Sequence, residues 1–262
     1  MTDPAPPRLL ERPNGSTIAY HFSPGKSSSQ IARTGAMFLG GFLSDMTGTK
    51  AIALERHCQN AGRPFIRFDY TGHGQSSGQF ADGTIGQWRD DALAVLDDVA
   101  AGPQVLVGSS MGGWISLLAA LARPERIAGL VCIAPAPDFT EDLMWPELDD
   151  HARQAIETEG VYYQQSEYSD EPYTITRALI EDGRNHLLLR DRIAITCPIR
   201  ILQGMEDPDV PWRHALRLVE KLESDDVVLS LVKAGDHRLS EPDDIARLVA
   251  TVDEVCAKAE KT

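Results

Sequence analysis

Six short apolar runs, at residues 36–39, 64–69, 104–107, 127–133, 199–202 and 227–232, recur along the chain with helix-type segments between most of them. Runs of four to seven apolar residues without strict alternation suit strands buried on both faces, and such strands require a mainly parallel sheet covered by helices. The covering helices are expected at 50–61, closed by Gly62, at 84–100, after Ser110 to residue 122, at 212–222 and at 243–256. In the second of these, Ile85, Trp88, Ala92, Val95, Leu96 and Val99 share one side. Asn14-Gly15 between residues 8–12 and 17–22 predicts a hairpin ahead of this pattern. The expected fold class is α/β, and 262 residues with 42% hydrophobic content can close it as one domain over 1–262. Ligands of such sheets gather outside the carboxyl ends of the strands.

One segment interrupts the alternation. Residues 139–189 show no strand signal, only helical patches mixed with Trp145, Tyr162, Tyr163, Tyr168 and Tyr173. An insertion after a strand ending near residue 133 reaches over the carboxyl edge, so a helical lid is expected there. The plainer alternative is a set of surface helices beside the sheet.

Charge and motif content exclude several function classes. A formal net charge of -14 disfavours nucleic acid or an anionic membrane surface as partner. No run approaches the roughly 18 apolar residues of a membrane span. The first residues, Met1 to Pro7, lack the features of a secretory signal and the Arg-rich character of a mitochondrial transit peptide. Cys58, Cys132, Cys197 and Cys256 form no C-x-x-C pair, which predicts free thiols in a reducing compartment, by default the cytoplasm. The seven histidines form no metal-type spacing, so no metal is expected, and no cofactor.

The chemistry is concentrated in Val107-Gly108-Ser109-Ser110-Met111-Gly112-Gly113, a Gly-x-Ser-x-Gly pattern between an apolar strand and a helix. A serine in such a turn sits in strained backbone with its hydroxyl above the sheet. The two flanking glycines are needed because a Cβ would crowd the turn. Serine is a poor nucleophile near neutral pH, so a base must stand within hydrogen-bond reach, itself oriented by an acid. Two turns at later strand ends offer both: Gln203-Gly204-Met205-Glu206-Asp207-Pro208-Asp209 and Lys233-Ala234-Gly235-Asp236-His237. His237 is the expected base. His73 is a rival, read as bonding within its own loop; His186 is read as solvated or pocket-lining, and His21, His57, His151 and His214 as surface residues. Asp207 is the preferred acid, with Glu206, Asp209 and Asp138 as alternatives and Asp236 expected to point away. Two backbone amides are expected to form an oxyanion hole, that of Met111 and that of Phe42 in the turn Gly40-Gly41-Phe42-Leu43-Ser44.

These motifs resemble the α/β-hydrolase superfamily in its serine-esterase form. The resemblance extends to Asp69-Tyr70-Thr71-Gly72-His73-Gly74-Gln75-Ser76, similar to the superfamily's D-x-x-G-x-G-x-S loop, and to the acid turn with Val210-Pro211. Residues 42–51, 107–114 and 197–200, with Glu159 to Tyr162 and Tyr168-Ser169, resemble more narrowly the family of α/β-hydrolase domain-containing protein ten. That resemblance implies an α/β-hydrolase fold and a Ser110, Asp207, His237 triad. It also implies palmitoyl-protein thioesterase and acyl-glucuronide esterase activity, and a mitochondrial setting. Gly40 departs from the pattern, since histidine is common there in the superfamily. The expected reaction is acyl transfer to water from a small-molecule or acylated-protein ester. A small-molecule carboxylesterase is the second reading, and a non-enzymatic binder on the same scaffold the third.

Overall fold

A computed structural model describes residues 6–25, 34–164 and 172–261. In chain order its strands are β1 (Arg8–Glu11), β2 (Thr17–Ser23), β3 (Gly35–Leu39), β4 (Phe65–Phe68), β5 (Gln104–Ser109), β6 (Ile127–Ile133), β7 (Val161–Gln164), β8 (Tyr173–Thr176), β9 (Ile199–Gly204) and β10 (Val227–Val232). Its helices are α1 (Thr49–Ala61), α2 (Ile85–Asp98), α3 (Met111–Ala122), α4 (Trp145–Glu147), α5 (Asp150–Glu159), α6 (Arg177–Arg184), α7 (Trp212–Lys221) and α8 (Pro242–Ala259). Eight strands form one sheet in the order β1-β2-β4-β3-β5-β6-β9-β10. From β4 onward neighbours are parallel, while β1 and β2 join antiparallel as the Asn-Gly hairpin, with Gly15 at φ 84°.

The apolar runs are continuous because successive side chains serve two cores. Met37, Leu39, Leu106, Leu130 and Cys132 pack with Trp88 and Val95 of α2, with Trp114 and Ile115 of α3, and with Leu218 of α7. Ala36, Phe38, Val105, Val107, Val131 and Ile133 pack on the opposite face with Leu54 and Cys58 of α1 and Leu248 and Val252 of α8. Local signals set the helix ends where they were expected: the Thr84 hydroxyl accepts from Gln87 N at the start of α2, and Gly62 closes α1 at φ 67°.

Strand register brings the functional turns to one edge. Leu39 pairs with Gly108, Ser109 with Ile133, Ile133 with Leu202 and Gly204 with Val232. The chain therefore leaves β3, β5, β6, β9 and β10 side by side. Cross-links fasten these exits: Ser110 N donates to Ile133 O (2.9 Å), Ala134 N to Leu202 O (2.8 Å) and Met205 N to Val232 O (2.9 Å).

The segment after β6 departs from the sequence expectation in one respect. Besides helices it contains an antiparallel hairpin, β7 with β8, in register from Val161 opposite Thr176 to Gln164 opposite Tyr173. Val-Tyr-Tyr and Tyr-Thr-Ile-Thr are β-branched and aromatic stretches of strand character. Each is only four residues long, too short to display a period beside the helical patches. Tyr168 and Ser169, part of the sequence resemblance, lie outside the described residues. The segment carries its own small core of Leu148, Ala152, Ile156, Ile175 and Ile180. Its base is tied by Asp138, fully buried and at φ 60°, whose carboxylate accepts from Leu188 N (2.7 Å) and Leu189 N (2.9 Å) and pairs with Arg190 (3.4 Å). Burial raises the Asp138 carboxyl above the usual range, against those two amides.

Candidate active site

Ser110 stands between the last residue of β5 and the first of α3 at φ 54°, ψ -117°, a conformation L-residues rarely adopt. The strain is held by packing that only glycine permits. A Cβ on Gly108 would fall on Gly112 O and Ser116 Oγ, and one on Gly112 would fall on the carbonyl oxygens of Leu39 and Gly40. The start of α3 therefore rests directly on the turn after β3. In that turn a Cβ on Gly41 would come within 3.4 Å of Ser110 Cβ, so the Phe42 segment lies against the serine. The Phe42 ring is fixed by edge contacts with Phe80 (4.8 Å), Phe139 (5.6 Å) and Trp88 (6.0 Å), and a tilted one with Tyr173 (6.2 Å). Met111 is buried at the first position of α3. The turn after β3, through Gly41, and the start of α3 thus both lie against the serine, although sequence separates them widely.

His237 and Asp207 come to the same place. His237 Nε2 lies 3.1 Å from Ser110 Oγ, and Nδ1 lies 2.8 Å from Asp207 Oδ2. With Nδ1 carrying the proton toward the carboxylate, Nε2 is left to accept from the hydroxyl. Asp207 is buried, and its Oδ1 accepts from Asp209 N (2.9 Å) and Val210 N (2.8 Å). Its Oδ2 also accepts from Gln203 Nε2 at 3.0 Å. The two turns are in contact because a Cβ on Gly204 would strike Gly235 O and Asp236 O. Asp207, Asp209 and His237 bring metal-type donor atoms within 4.8 Å of one another, but the first and last are already bonded to each other.

The other expected candidates sit elsewhere. Glu206 and Asp209 are exposed, Asp236 accepts from Leu239 N (2.8 Å), and Asp138 is engaged at the base of the inserted segment. His214 corrects the surface reading: it is buried, and its Nε2 donates to Pro137 O at 2.7 Å, tying α7 to the exit of β6. His21 and His57 are half-buried and His151 is exposed, while His186 is half-buried beside Asp182 at 3.6 Å. Lys50 had no role in the sequence reading. Its ammonium donates to Arg238 O and to Ser240 Oγ (3.3 Å), gripping the chain just after His237. Burial first, with Arg238 adding to it, lowers Lys50 to about 8 despite Asp236 and Asp244. A contact between residues 188 positions apart has no local signal.

His73 is buried among Tyr70, Phe80 and Trp88, with Nδ1 3.3 Å from Thr71 O in its own loop. Burial lowers it from 6.5 to about 4. Folded His73 is neutral where the unfolded chain would take a proton, so stability is full above about pH 6.5 and falls as pH drops toward 4. The loss expected from this group is about 3 kcal/mol. Denaturant melts at pH 7 and pH 4.5 should show it, and His73→Gln should narrow the difference; an unchanged difference would show that other groups cause the acid sensitivity.

These turns open into a cavity of about 710 Å³. Its lining includes Ala136 and, from the inserted segment, Phe139, Leu143, Met144 and Ile175 beside the polar Glu147 and Gln164; Ser44, Lys50, Asp209 and Arg238 also line it.

Sheet order, elbow and edge define the class: residues 39–248 match the alpha/beta hydrolase family, and the chain belongs to it and is a hydrolase. Within that family it is 42% identical over 251 residues to the human palmitoyl-protein thioesterase ABHD10, mitochondrial, covering 95% of this chain and 80% of that protein. Mouse alpha/beta hydrolase domain-containing protein 10 superposes with a TM-score of 0.87 at 41% identity, over 97% of this chain and 99% of that one. A solved structure from Agrobacterium vitis S4 superposes at 0.90 with 45% identity, again over 97% and 99%. The relatives named mitochondrial give no support to the cytoplasmic expectation. No described helix is long and apolar enough to cross a membrane.

Proposed function

We propose that this hydrolase cleaves acyl thioesters and esters through Ser110, His237 and Asp207, with an acyl group seated under the inserted segment. The observation that carries the reading is the unbroken hydrogen-bond chain from Ser110 Oγ through His237 to Asp207, opening on a cavity whose lining includes apolar side chains of the inserted segment. His237 takes the Ser110 proton as Oγ attacks the carbonyl, and the Met111 and Phe42 amides stabilise the oxyanion. His237 returns the proton to the departing thiolate or alkoxide, then activates water to release the acid from the acyl-enzyme. Asp207 keeps the imidazole oriented and offsets its charge. None of these steps calls for a metal or cofactor.

The inserted segment acts as the lid that sets acyl length, since Phe139, Leu143, Met144 and Ile175 all belong to it. A cavity of about 710 Å³ lies within the roughly 300–1,000 Å³ of small-ligand pockets. The palmitoyl-protein thioesterase name of the relatives supports a long acyl chain as substrate and the mitochondrion as setting. Acyl glucuronides are the finer extension of the sequence resemblance, and Lys50 and Arg238 in the cavity lining are compatible with their carboxylate. A small-molecule carboxylesterase is the second reading.

A panel of p-nitrophenyl esters, acyl thioesters and acyl glucuronides with chains from two to sixteen carbons tests the proposal. The expected result is a kcat/KM that rises with chain length and is highest for thioesters. Uniformly weak rates across the panel would count against the thioesterase reading and leave a small-molecule ester as substrate.

A further inference from the structure

Gln203 is the next-to-last residue of β9 and is fully buried. Its Nε2 meets three acceptors: Asp207 Oδ2 at 3.0 Å, Val210 O at 3.0 Å and Gly204 O at 3.1 Å. All three are oxygens, so the amino end of the amide must face them, because a reversed amide would set its carbonyl against a carboxylate. Its Oε1 meanwhile finds no partner among the described residues. A buried amide that leaves its carbonyl unpaired while its N–H group meets the acid is poorly explained by packing, since a methionine would fill the same length without that burden.

The bonded oxygen matters. Asp207 Oδ2 is also the atom His237 Nδ1 meets, whereas Oδ1 is occupied by the amides of residues 209 and 210. Backbone donors therefore fix one end of the carboxylate and the Gln203 side chain fixes the other. We infer that Gln203 is a positioning residue for the triad: it holds Oδ2 of Asp207 in the plane His237 uses and limits how much negative charge that oxygen presents to the imidazole. This rests on the proposed roles of Asp207 and His237 and adds a residue to them. The amide also joins Asp207 to Val210 O across the acid turn, so one side chain couples the end of β9, the acid and the cavity-lining Val210.

The test is the pH profile of kcat/KM for a p-nitrophenyl ester with the full chain, using Gln203→Met and the isosteric Gln203→Glu. Without the N–H donor, Oδ2 carries more charge and the imidazolium is favoured, so the acid limb should move to higher pH in the Met variant. The Glu variant should keep the wild-type limb, because its buried carboxyl, set against Asp207 Oδ2 and the carbonyl oxygens of Val210 and Gly204, stays protonated and returns an O–H donor to Oδ2. In the Met variant rates on the plateau should fall about tenfold, the effect of one hydrogen bond to a charged group. A merely structural glutamine would lower the melting temperature and leave the limb in place. If the Met variant is folded by circular dichroism and keeps the wild-type limb, the inference is wrong; if it does not fold, Gln203→Leu, which also lacks the donor, is read in its place, and a wild-type limb there overturns the inference equally. Ser110→Ala separates the two levels: if it retains hydrolysis the triad reading itself fails, and if it is inactive while the limb stays fixed only the Gln203 assignment fails.

Discussion

Ser110→Ala is expected to lower turnover by about ten-thousand-fold or more and to abolish labelling by a fluorophosphonate probe. The expectation comes from geometry. Ser110 is held at φ 54° by glycine-only contacts, with Oγ 3.1 Å from His237 Nε2 and with the turn after β3 and the start of α3 lying against it. Alanine keeps the turn and removes only the atom that attacks, so folding should be preserved, which a thermal melt would check. Intact-protein mass gives the direct readout: one probe adduct on the wild type and none on the variant. Equal labelling of both proteins would remove Ser110 from the mechanism.

Asp207→Asn is expected to cost nearly as much, about ten-thousand-fold in kcat, with substrate binding little changed. The two carboxylate oxygens of Asp207 accept from the amides of residues 209 and 210, from Gln203 and from His237. An asparagine in that nest turns its NH2 toward Nδ1 or toward the backbone amides. Either choice puts donor against donor or presents the wrong histidine tautomer to Ser110. Asp138→Asn is the control, because Asp138 also lies at a strand exit but holds Leu188, Leu189 and Arg190 instead of His237. It should lower the melting temperature and leave kcat within a few-fold. A large kcat loss in Asp138→Asn with an active Asp207→Asn would mean that the acid is misassigned.

Much of the fold was legible because the strands are buried on both faces. A parallel strand that serves two cores must be apolar along most of its length, and β3, β6 and the Val105–Val107 stretch of β5 read that way without a neighbour to consult. Helix ends were legible for a local reason too, since Thr84 and Gly62 satisfy backbone groups within their own segments. The β7 and β8 hairpin was not, because four-residue strands have too few turns of any period to outweigh the helical segments around them. His214 was misjudged for a related reason. One polar residue on an amphipathic helix reads as exposed until the carbonyl that receives it, Pro137 O, is known.

The candidate site divides along the same line. The elbow is a local object: strand, two glycines, serine and helix are neighbours in sequence, so Gly108 to Gly112 declares a strained serine without reference to the rest of the chain. That a histidine and an acid lie at later strand ends is also readable, because strand order in a parallel sheet places every exit on one edge. Which carboxylate meets the histidine is readable only as a preference for Asp207, with its neighbours left as alternatives. Glu206, Asp207 and Asp209 share one turn, and side-chain direction there is decided by the amides of residues 209 and 210 and by Gln203, all of which enclose Asp207. The Lys50 grip on the histidine loop and the Asp138 tie at the base of the insertion join residues 188 and about 50 positions apart. By itself the sequence determined the sheet, the elbow and the kind of chemistry, because those depend on burial period and local backbone strain. Only the tertiary structure decided which acid faces His237 and which side chains line the cavity beside Ser110, because both depend on hydrogen bonds and packing between segments that the chain keeps far apart.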